Sequence, residues 1–333
     1  MPTAALPMQI RVSLGTAIVL GLTQGKLDAA PTTAYLMTYR EGKCNANCGF
    51  CPQARESKSS TQLLSRVTWP TYAIQKALSG LKAAVEQKKI GRVCIQALNY
   101  PEVFAELEGL VKAIKSDTSV AVSVSCQPQT TENIRHLKQA GVDRLGIALD
   151  AATEAVFDRV KGKDAGGCYR WENQFQLFSE ALAVFGTSNV STHVIVGLGE
   201  TEREVVAVVE RCVDLGVLPA LFAFTPIRGT TLEANAPPTL ESYRRIQLAR
   251  YLIVNGKAKL AEMSFDKHGK IANYGLTKEA IDQTITEGTA FQTSGCPDCN
   301  RPYYNEKPSG PIYNHPKQPN KEEIKKIKTD LGY

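Results

Sequence analysis

The chain has 333 residues, 43% of them hydrophobic and 22% charged, a balance typical of globular proteins and enough for one large α/β domain or two ordinary ones. The formal net charge is +6, much of its excess lying in the terminal run KEEIKKIKTDLGY, which is too small and too local to indicate nucleic-acid binding and is expected to be the solvated face of a terminal helix. No apolar run is long enough for a membrane span. The run MQIRVSLGTAIVLGLTQGKL has neither the basic start nor the cleavage site of a secretory leader, and a helix packed on the domain is expected there. Nine cysteines, an odd number in a long chain without a leader, fit a reducing cytoplasm with metal sites better than a disulfide framework.

Between residues 34 and about 265, short apolar runs alternate with helical patterns. In chain order the runs are AYLMTY (34–39), RVCIQA (92–97), VAVSVSC (120–126), RLGIALD (144–150), STHVIVG (191–197) and ALFAFTP (220–226). They are nearly continuous rather than alternating, as strands buried on both faces should be. Among the stretches between them, YAIQKALSGLKAAVEQK follows Pro70 at a helix start, TENIRHLKQAG runs from capping threonines to Gly141, and TEREVVAVVERCVDLG ends at Gly216. Six such units, with a weaker seventh around AKLAEMSF, imply an α/β fold with a parallel sheet and right-handed crossovers. The expected form is a (βα) barrel of the TIM type, full or partial, with a doubly wound sheet as the alternative. Past residue 270, TSGCPDCNRPYYNEKPSGPIYNHPKQPN is rich in Pro, Gly, Asn and Tyr and has no period. The expected organisation is a helical segment at 1–33, a barrel at 34–270, and an irregular extension at 271–333 that caps the barrel mouth.

The stretch EGKCNANCGFCPQAR (41–55) packs Cys44, Cys48 and Cys51 into eight residues, with no fourth ligand nearby and Phe50 just before the last cysteine. A tetrahedral zinc site takes four ligands, whereas three thiolates can hold three irons of a four-iron cube and leave the fourth open. The cluster follows the first barrel strand, at the end where barrel chemistry gathers.

C-x-x-x-C-x-x-C in this setting resembles the radical SAM superfamily. The resemblance implies a 4Fe-4S cluster on Cys44, Cys48 and Cys51. Its open iron would chelate S-adenosyl-L-methionine, and reductive cleavage would yield a 5′-deoxyadenosyl radical. HVIVGLGE (193–200) resembles the family's fifth-strand motif, placing Ile195 and Val196 on the adenine. Asp150 would hold the ribose hydroxyls or, alternatively, cap the helix that follows it. QALNYPE (96–102) stands where the family binds the methionyl amino group. Phe50, Gln96, Asp150, Ile195, Val196 and Pro226 are thus the residues expected around the cofactor, and Phe222, Phe224 and Pro226 line a channel or pack the barrel core.

VCIQALNYPE, SVSCQPQTTENIRHLKQAGVDRLGIALD, STHVIVGLGETE and ALFAFTPIRGTTLEAN resemble the biotin synthase-like branch over residues 35 to 265. Biotin synthases carry a second, sacrificial cluster on strand cysteines and one arginine. Cys94 and Cys126 fall at two of those cysteine positions, and Ser191 replaces the third. GCPDCNRPYYNE adds Cys296 and Cys299, which with Cys94 and Cys126 make four candidate ligands of an auxiliary 4Fe-4S cluster. A redox dithiol, half of an intermolecular zinc site and buried structural cysteines are the other readings of this pair. Cys212, on an amphipathic helix, is expected to be a core thiol, and Cys168 is left open. The tail motif on such a barrel resembles the two-protein lipoyl synthases of archaea and some bacteria. That resemblance implies an octanoylated lipoyl-carrier protein as substrate, a second related radical SAM protein, and a reduced ferredoxin-type electron donor, with no nucleic acid or membrane involved. Another biotin synthase-like enzyme, a mutase or methylase, and a non-catalytic cluster-bearing scaffold are the competing functions.

Overall fold

A computed structural model of the chain describes residues 6–333. The elements before the first crossover are β1 (Gln9–Val12), α1 (Leu14–Val19), β2 (Thr33–Thr38), the hairpin β3 (Leu63–Leu64) and β4 (Val67–Thr68), and β5 (Thr71–Ala73). The repeating units follow: α2 (Ile74–Glu86), β6 (Arg92–Gln96), α3 (Val103–Asp117), β7 (Ala121–Cys126), α4 (Thr131–Ala140), β8 (Arg144–Ile147), α5 (Glu154–Val160), α6 (Trp171–Phe185), β9 (Val190–Val196), α7 (Glu202–Asp214), β10 (Leu218–Ala223) and α8 (Leu240–Val254). The chain ends with β11 (Ser264–Phe265), β12 (Ile271–Asn273), α9 (Lys278–Glu287) and α10 (Lys321–Leu331). No helix among the described residues is long and apolar enough to cross a membrane.

The main sheet has the order β10-β9-β8-β7-β6-β2-β1-β5. β2 and β6 to β10 are parallel, and β1 runs antiparallel to both β2 and β5. This is the expected α/β barrel in its partial form, because the strand order does not close into a ring. Strand side chains alternate between the helix-covered face and the interior. In β6, Val93 and Ile95 are fully buried while Cys94 and Gln96 line the interior. Local signals act as expected at the helix ends. The Thr130 hydroxyl accepts from the Asn133 N–H, and Gly141, at φ 105°, ends α4 in the left-handed region that glycine tolerates. Thr201 and Glu204 form a reciprocal capping box at the start of α7.

Four expectations are corrected. The helical segment expected at 1–33 opens instead with β1. Ile10 and Val12 are fully buried, and pairing with β2 and β5 satisfies the backbone on both sides; residues 1–5 lie outside the described residues. Pro70 leads into β5 and not directly into a helix, and α2 starts at Ile74. The weak seventh strand around 258–265 is only β11, paired with β12 outside the main sheet. The extension after residue 270 contains α9 and α10 and is held by more than its irregular run suggests. Buried Arg244 donates to the carbonyls of Ile312 (2.5 Å) and Tyr313 (2.7 Å), and Tyr243 Oη donates to Asn314 Oδ1 (3.0 Å). Phe291, Tyr304, Tyr313 and Ile327 bury their rings and side chains in the common core. α10 is therefore docked through Ile327 and through Lys328, whose Nζ pairs with Asp282 of α9 at 2.6 Å, while Lys321, Lys325 and Lys326 are exposed.

Glu306 belongs to this docked tail. Its Oε2 is buried without a partner, and burial raises its carboxyl to about 7, against opposing pulls from Arg301, the Asn314 N–H, Arg244 and Arg66. The folded state therefore holds this proton more tightly than the unfolded chain, whose carboxyl ionises near 4.5. Its contribution to stability is complete below that value and is lost as pH rises toward 7. Denaturant unfolding at pH 5 and pH 8 is expected to show a loss on the order of 3 kcal/mol. Most of that difference should vanish in Glu306→Gln.

Candidate functional site

The loop from Glu41 to Ser59 is tied down at several points. Gln53, fully buried, accepts from Arg11 Nη1 (3.0 Å) and donates to the carbonyls of Thr61 (2.7 Å) and Leu63 (2.5 Å). Lys43 Nζ donates to the carbonyls of Pro52 and Ser59, both at 2.6 Å. The Gly49 N–H donates to the Val160 carbonyl (2.7 Å), and the Cys51 N–H closes a turn on the Cys48 carbonyl (2.9 Å). These anchors gather Cys44, Cys48 and Cys51 around one cavity of about 160 Å³, which Asn99, Asp150, Lys161 and Tyr169 also line. The Asn99 N–H donates to Cys44 Sγ at 3.0 Å. Burial pushes the Cys51 thiol up to about 12, and it raises Cys48 well above the usual thiol range against the pull of Lys161. Ligand formation at this loop therefore releases protons.

A larger cavity of about 220 Å³ adjoins the first and shares with it Phe50, Cys51, Leu64, Gln96, Asp150 and His193. Its far wall carries Cys94, Cys296 and Cys299. Burial raises the Cys94 thiol, and the neighbouring Cys296 and Cys299 raise it further. Among the described residues no three His, Cys, Asp or Glu side chains stand close enough to share a single metal ion. Three thiols with one open side facing a cavity fit a multi-iron cluster, which spreads its ligands around a larger body.

Cys126 does not join the second trio. Cys94 pairs in register with Ser123, and Gln96 with Ser125, so these four share the interior face. Cys126 has the opposite parity and lines the smaller cavity instead. Burial alone raises its thiol, with no contribution from another cysteine.

The position of the C-x-x-C turn is a second correction, because it does not cap the mouth. Thr32, just before β2, donates through Oγ1 to the Asp298 carbonyl (2.5 Å), and its N–H donates to Asn300 Oδ1 (3.1 Å). Arg92, the first residue of β6, reaches the Pro297 carbonyl. The turn thus lies at the N-terminal ends of the strands and enters the barrel from below. From there the tail climbs along the seam. Arg301 donates to the Leu221 carbonyl of β10, and Tyr304 packs on Tyr35 and Trp69 with ring centroids 5.2 and 6.0 Å away. It reaches the strands' C-terminal ends where Thr225 Oγ1 donates to the Asn305 carbonyl and Ser65 Oγ to that of Tyr304.

Of the expected cofactor contacts, Phe50, Gln96, Asp150 and Ile195 line these cavities. Val196 is buried on the helix side of β9, and Pro226 lines neither cavity. Phe222 and Phe224 do line the larger one. Asp150 is not a helix cap, since Thr153 caps α5. It stands at φ 68° in the left-handed region, held there by two backbone hydrogen bonds to β9, and pairs with Lys161 Nζ at 2.7 Å. Lys161 is 1% exposed and was not legible in the sequence, where it reads as one more lysine near a helix end. His193 packs against Phe222 with ring centroids 4.8 Å apart and planes tilted by 59°, and Phe222 carries the Arg301 guanidinium at 3.6 Å on its ring. Burial pushes His193 down to about 4, so the imidazole between the two trios is neutral. The alternation Ser191, His193, Ile195 marks its inward direction. Cys212 is a core thiol as expected, and Cys168 is exposed beside a separate groove.

The model of the radical SAM superfamily matches residues 42–212. The chain is 28% identical over 230 residues to a biotin synthase from Persephonella marina, covering 68% of this chain and 64% of that protein. It is 27% identical over 208 residues to a biotin synthase from Anoxybacillus flavithermus, covering 60% and 58%. The chain thus spans less than two thirds of the length of these relatives. Two solved structures share the fold. HydG, a maturase of the [FeFe]-hydrogenase, has a TM-score of 0.55 at 14% identity and covers 68% of this chain and 51% of its own. Methylornithine synthase has a TM-score of 0.52 at 13% identity and covers 73% and 67%.

Two outcomes are expected from this geometry. Cys94→Ala, Cys296→Ala and Cys299→Ala each lower the iron content of anaerobically reconstituted protein, whereas Cys126→Ala leaves it unchanged. Lys161→Met strands a buried carboxylate and should cost about 3–5 kcal/mol in denaturant unfolding, while the double change with Asp150→Asn, which removes the charge and tolerates the left-handed backbone, should recover most of that loss.

Proposed function

Because the chain belongs to the radical SAM superfamily, we propose that it is a sulfur-inserting enzyme, one component of a two-protein lipoyl synthase that thiolates an octanoyl chain on a lipoyl-carrier protein. The observation that carries this reading is the second thiol trio, which opens on the same cavity as Cys51 and Phe50. A 4Fe-4S cluster with S-adenosyl-L-methionine supplies hydrogen-atom abstraction at an unactivated carbon, and an auxiliary iron–sulfur cluster supplies the sulfur.

The chain's own residues do the rest. Cys44, Cys48 and Cys51 hold the first cluster, and Cys94, Cys296 and Cys299 hold the second. Asp150 commits one oxygen to Lys161 and keeps the other for the ribose of the cofactor, and Ile195 and Phe50 pack beside it. Phe222, Phe224 and the ring of Tyr35 give the cavity between the trios an apolar wall suited to an aliphatic chain. The neutral His193 adds no charge to that wall. Leu64 of the β3–β4 hairpin and Tyr304 and Asn305 of the tail also line this cavity, limiting the access of water to it. A second related radical SAM protein and a reduced ferredoxin-type donor are the proposed partners.

The test is anaerobic incubation of the reconstituted chain with S-adenosyl-L-methionine, a reduced ferredoxin and an octanoyl-lysyl peptide, with and without a related partner protein, read by mass. Formation of 5′-deoxyadenosine together with a sulfur-bearing peptide is expected. Cys44→Ala, Cys48→Ala or Cys51→Ala should abolish 5′-deoxyadenosine. A peptide that loses hydrogen but never gains sulfur, even with the partner present, overturns sulfur insertion.

A further inference from the structure

Each sulfur of the inner trio has one side-chain hydrogen-bond partner. Gln96 Nε2 donates to Cys94 Sγ at 3.1 Å. Tyr35 Oη lies 3.2 Å from Cys299 Sγ, and Ser123 Oγ lies 3.5 Å from Cys296 Sγ. Distance alone leaves the direction of the two hydroxyl contacts open, and the other bonds of those hydroxyls show what each oxygen has left to give. The Arg301 backbone N–H points at Tyr35 Oη at 2.8 Å, and Arg92 Nη1 points at Ser123 Oγ at 3.1 Å. A backbone amide and a guanidinium can only donate. Each hydroxyl oxygen therefore accepts from its arginine and keeps its single hydrogen free, and toward a thiolate, which carries no hydrogen, it can only donate. Gln96 aims a hydrogen at its sulfur, and Tyr35 and Ser123 each have a hydrogen free to do so. A thiolate accepts hydrogen bonds and has none to give, so a pocket with three donors and three sulfurs is shaped for thiolates.

We propose that Tyr35, Gln96 and Ser123 are positioning residues for an iron–sulfur cluster on Cys94, Cys296 and Cys299, with the Arg301 amide and Arg92 holding the two hydroxyl oxygens in place. The inference rests on the auxiliary-cluster reading given above. The register supports it. Tyr35 pairs with Cys94 across β2 and β6, and Cys94 pairs with Ser123 across β6 and β7. The two hydroxyl donors thus flank the strand sulfur on neighbouring strands, and Gln96 lies one interior position along β6. The strands contribute all three donors, while the tail contributes two of the three sulfurs and the Arg301 amide. The shell is complete only with the tail docked. Hydrogen bonds to cluster sulfurs favour the more negative, reduced state and so raise the reduction potential.

The experiment is an EPR-monitored redox titration of the full chain, reconstituted anaerobically with iron and sulfide. The inner signal is identified by its loss in Cys94→Ala. Tyr35→Phe removes a single oxygen and should keep the iron content while moving the inner midpoint potential to a more negative value. Ser123→Ala should do the same, Ser123→Thr should restore the parent value, and Tyr35→Phe with Ser123→Ala should shift it further than either alone. Retained iron with unshifted potentials in both single variants overturns the shell. A parent protein with no inner signal also overturns it. Neither readout uses the octanoyl substrate. Shifted potentials without sulfur transfer therefore sink the functional reading alone, and sulfur transfer with unshifted potentials sinks the shell alone.

Discussion

A parallel sheet that stops at six strands leaves an edge with unpaired backbone groups and an interior open along one seam. This chain meets both demands with its own C-terminal segment. The Leu221 N–H of β10 is taken by Ser294 Oγ at 2.8 Å, the Leu221 carbonyl by Arg301, and the Pro219 carbonyl by Arg250 of α8. On the far side of the seam, Tyr35 of β2 receives the Arg301 amide and the Tyr304 ring. The tail is thus a structural part of the barrel, and closing the seam is what carries Cys296 and Cys299 to Cys94.

Because the tail docks through side-chain hydrogen bonds and buried aromatic rings, its order does not depend on metal alone. Arg244 and Gln247 of α8 hold the carbonyl of Tyr313 from within the core, and Tyr243 packs edge-on to the Tyr313 ring at 5.2 Å. The irregular run from 292 to 320 thereby takes its shape from the elements around it. Its composition suggested a segment without a core, yet it borrows the core of the barrel.

The charges of the interior follow a division of labour. Near the loop cysteines stands a paired cation and anion, Lys161 and Asp150, both buried and both bonded. A buried pair of this kind fixes geometry more than it adds stability, because the desolvation of both ions offsets their attraction. Near the inner cysteines stand groups able to donate to sulfur, from Tyr35, Ser123 and Gln96, with two arginines behind the hydroxyls. Between the two lies a stretch walled by Phe222, Ile195 and a neutral His193. One cavity therefore joins two sites of different electrostatic character through a neutral passage.

Local pattern was enough to place the six parallel strands, the cap at Thr130 and the stop at Gly141, and the loop that gathers Cys44, Cys48 and Cys51. Each of these is decided within a few residues, by apolar runs, capping geometry and close spacing. Which of the remaining cysteines meet was decided elsewhere. Cys126 is excluded by strand parity, since a one-residue step turns a side chain to the opposite face of a sheet. Parity follows from register, and register is set between strands that lie far apart in the chain. The approach of Cys296 and Cys299 from below depends on bonds at sequence separations above 200, from Thr32 and Arg92 to the tail. The burial of Lys161 against Asp150 has no local mark at all, because a lysine near a helix end is ordinarily solvated. The sequence alone determined the alternation of elements and the first thiol trio, which are products of short-range chemistry. Tertiary structure alone decided the second trio and its hydrogen-bond donors, which exist only where distant segments are brought into register.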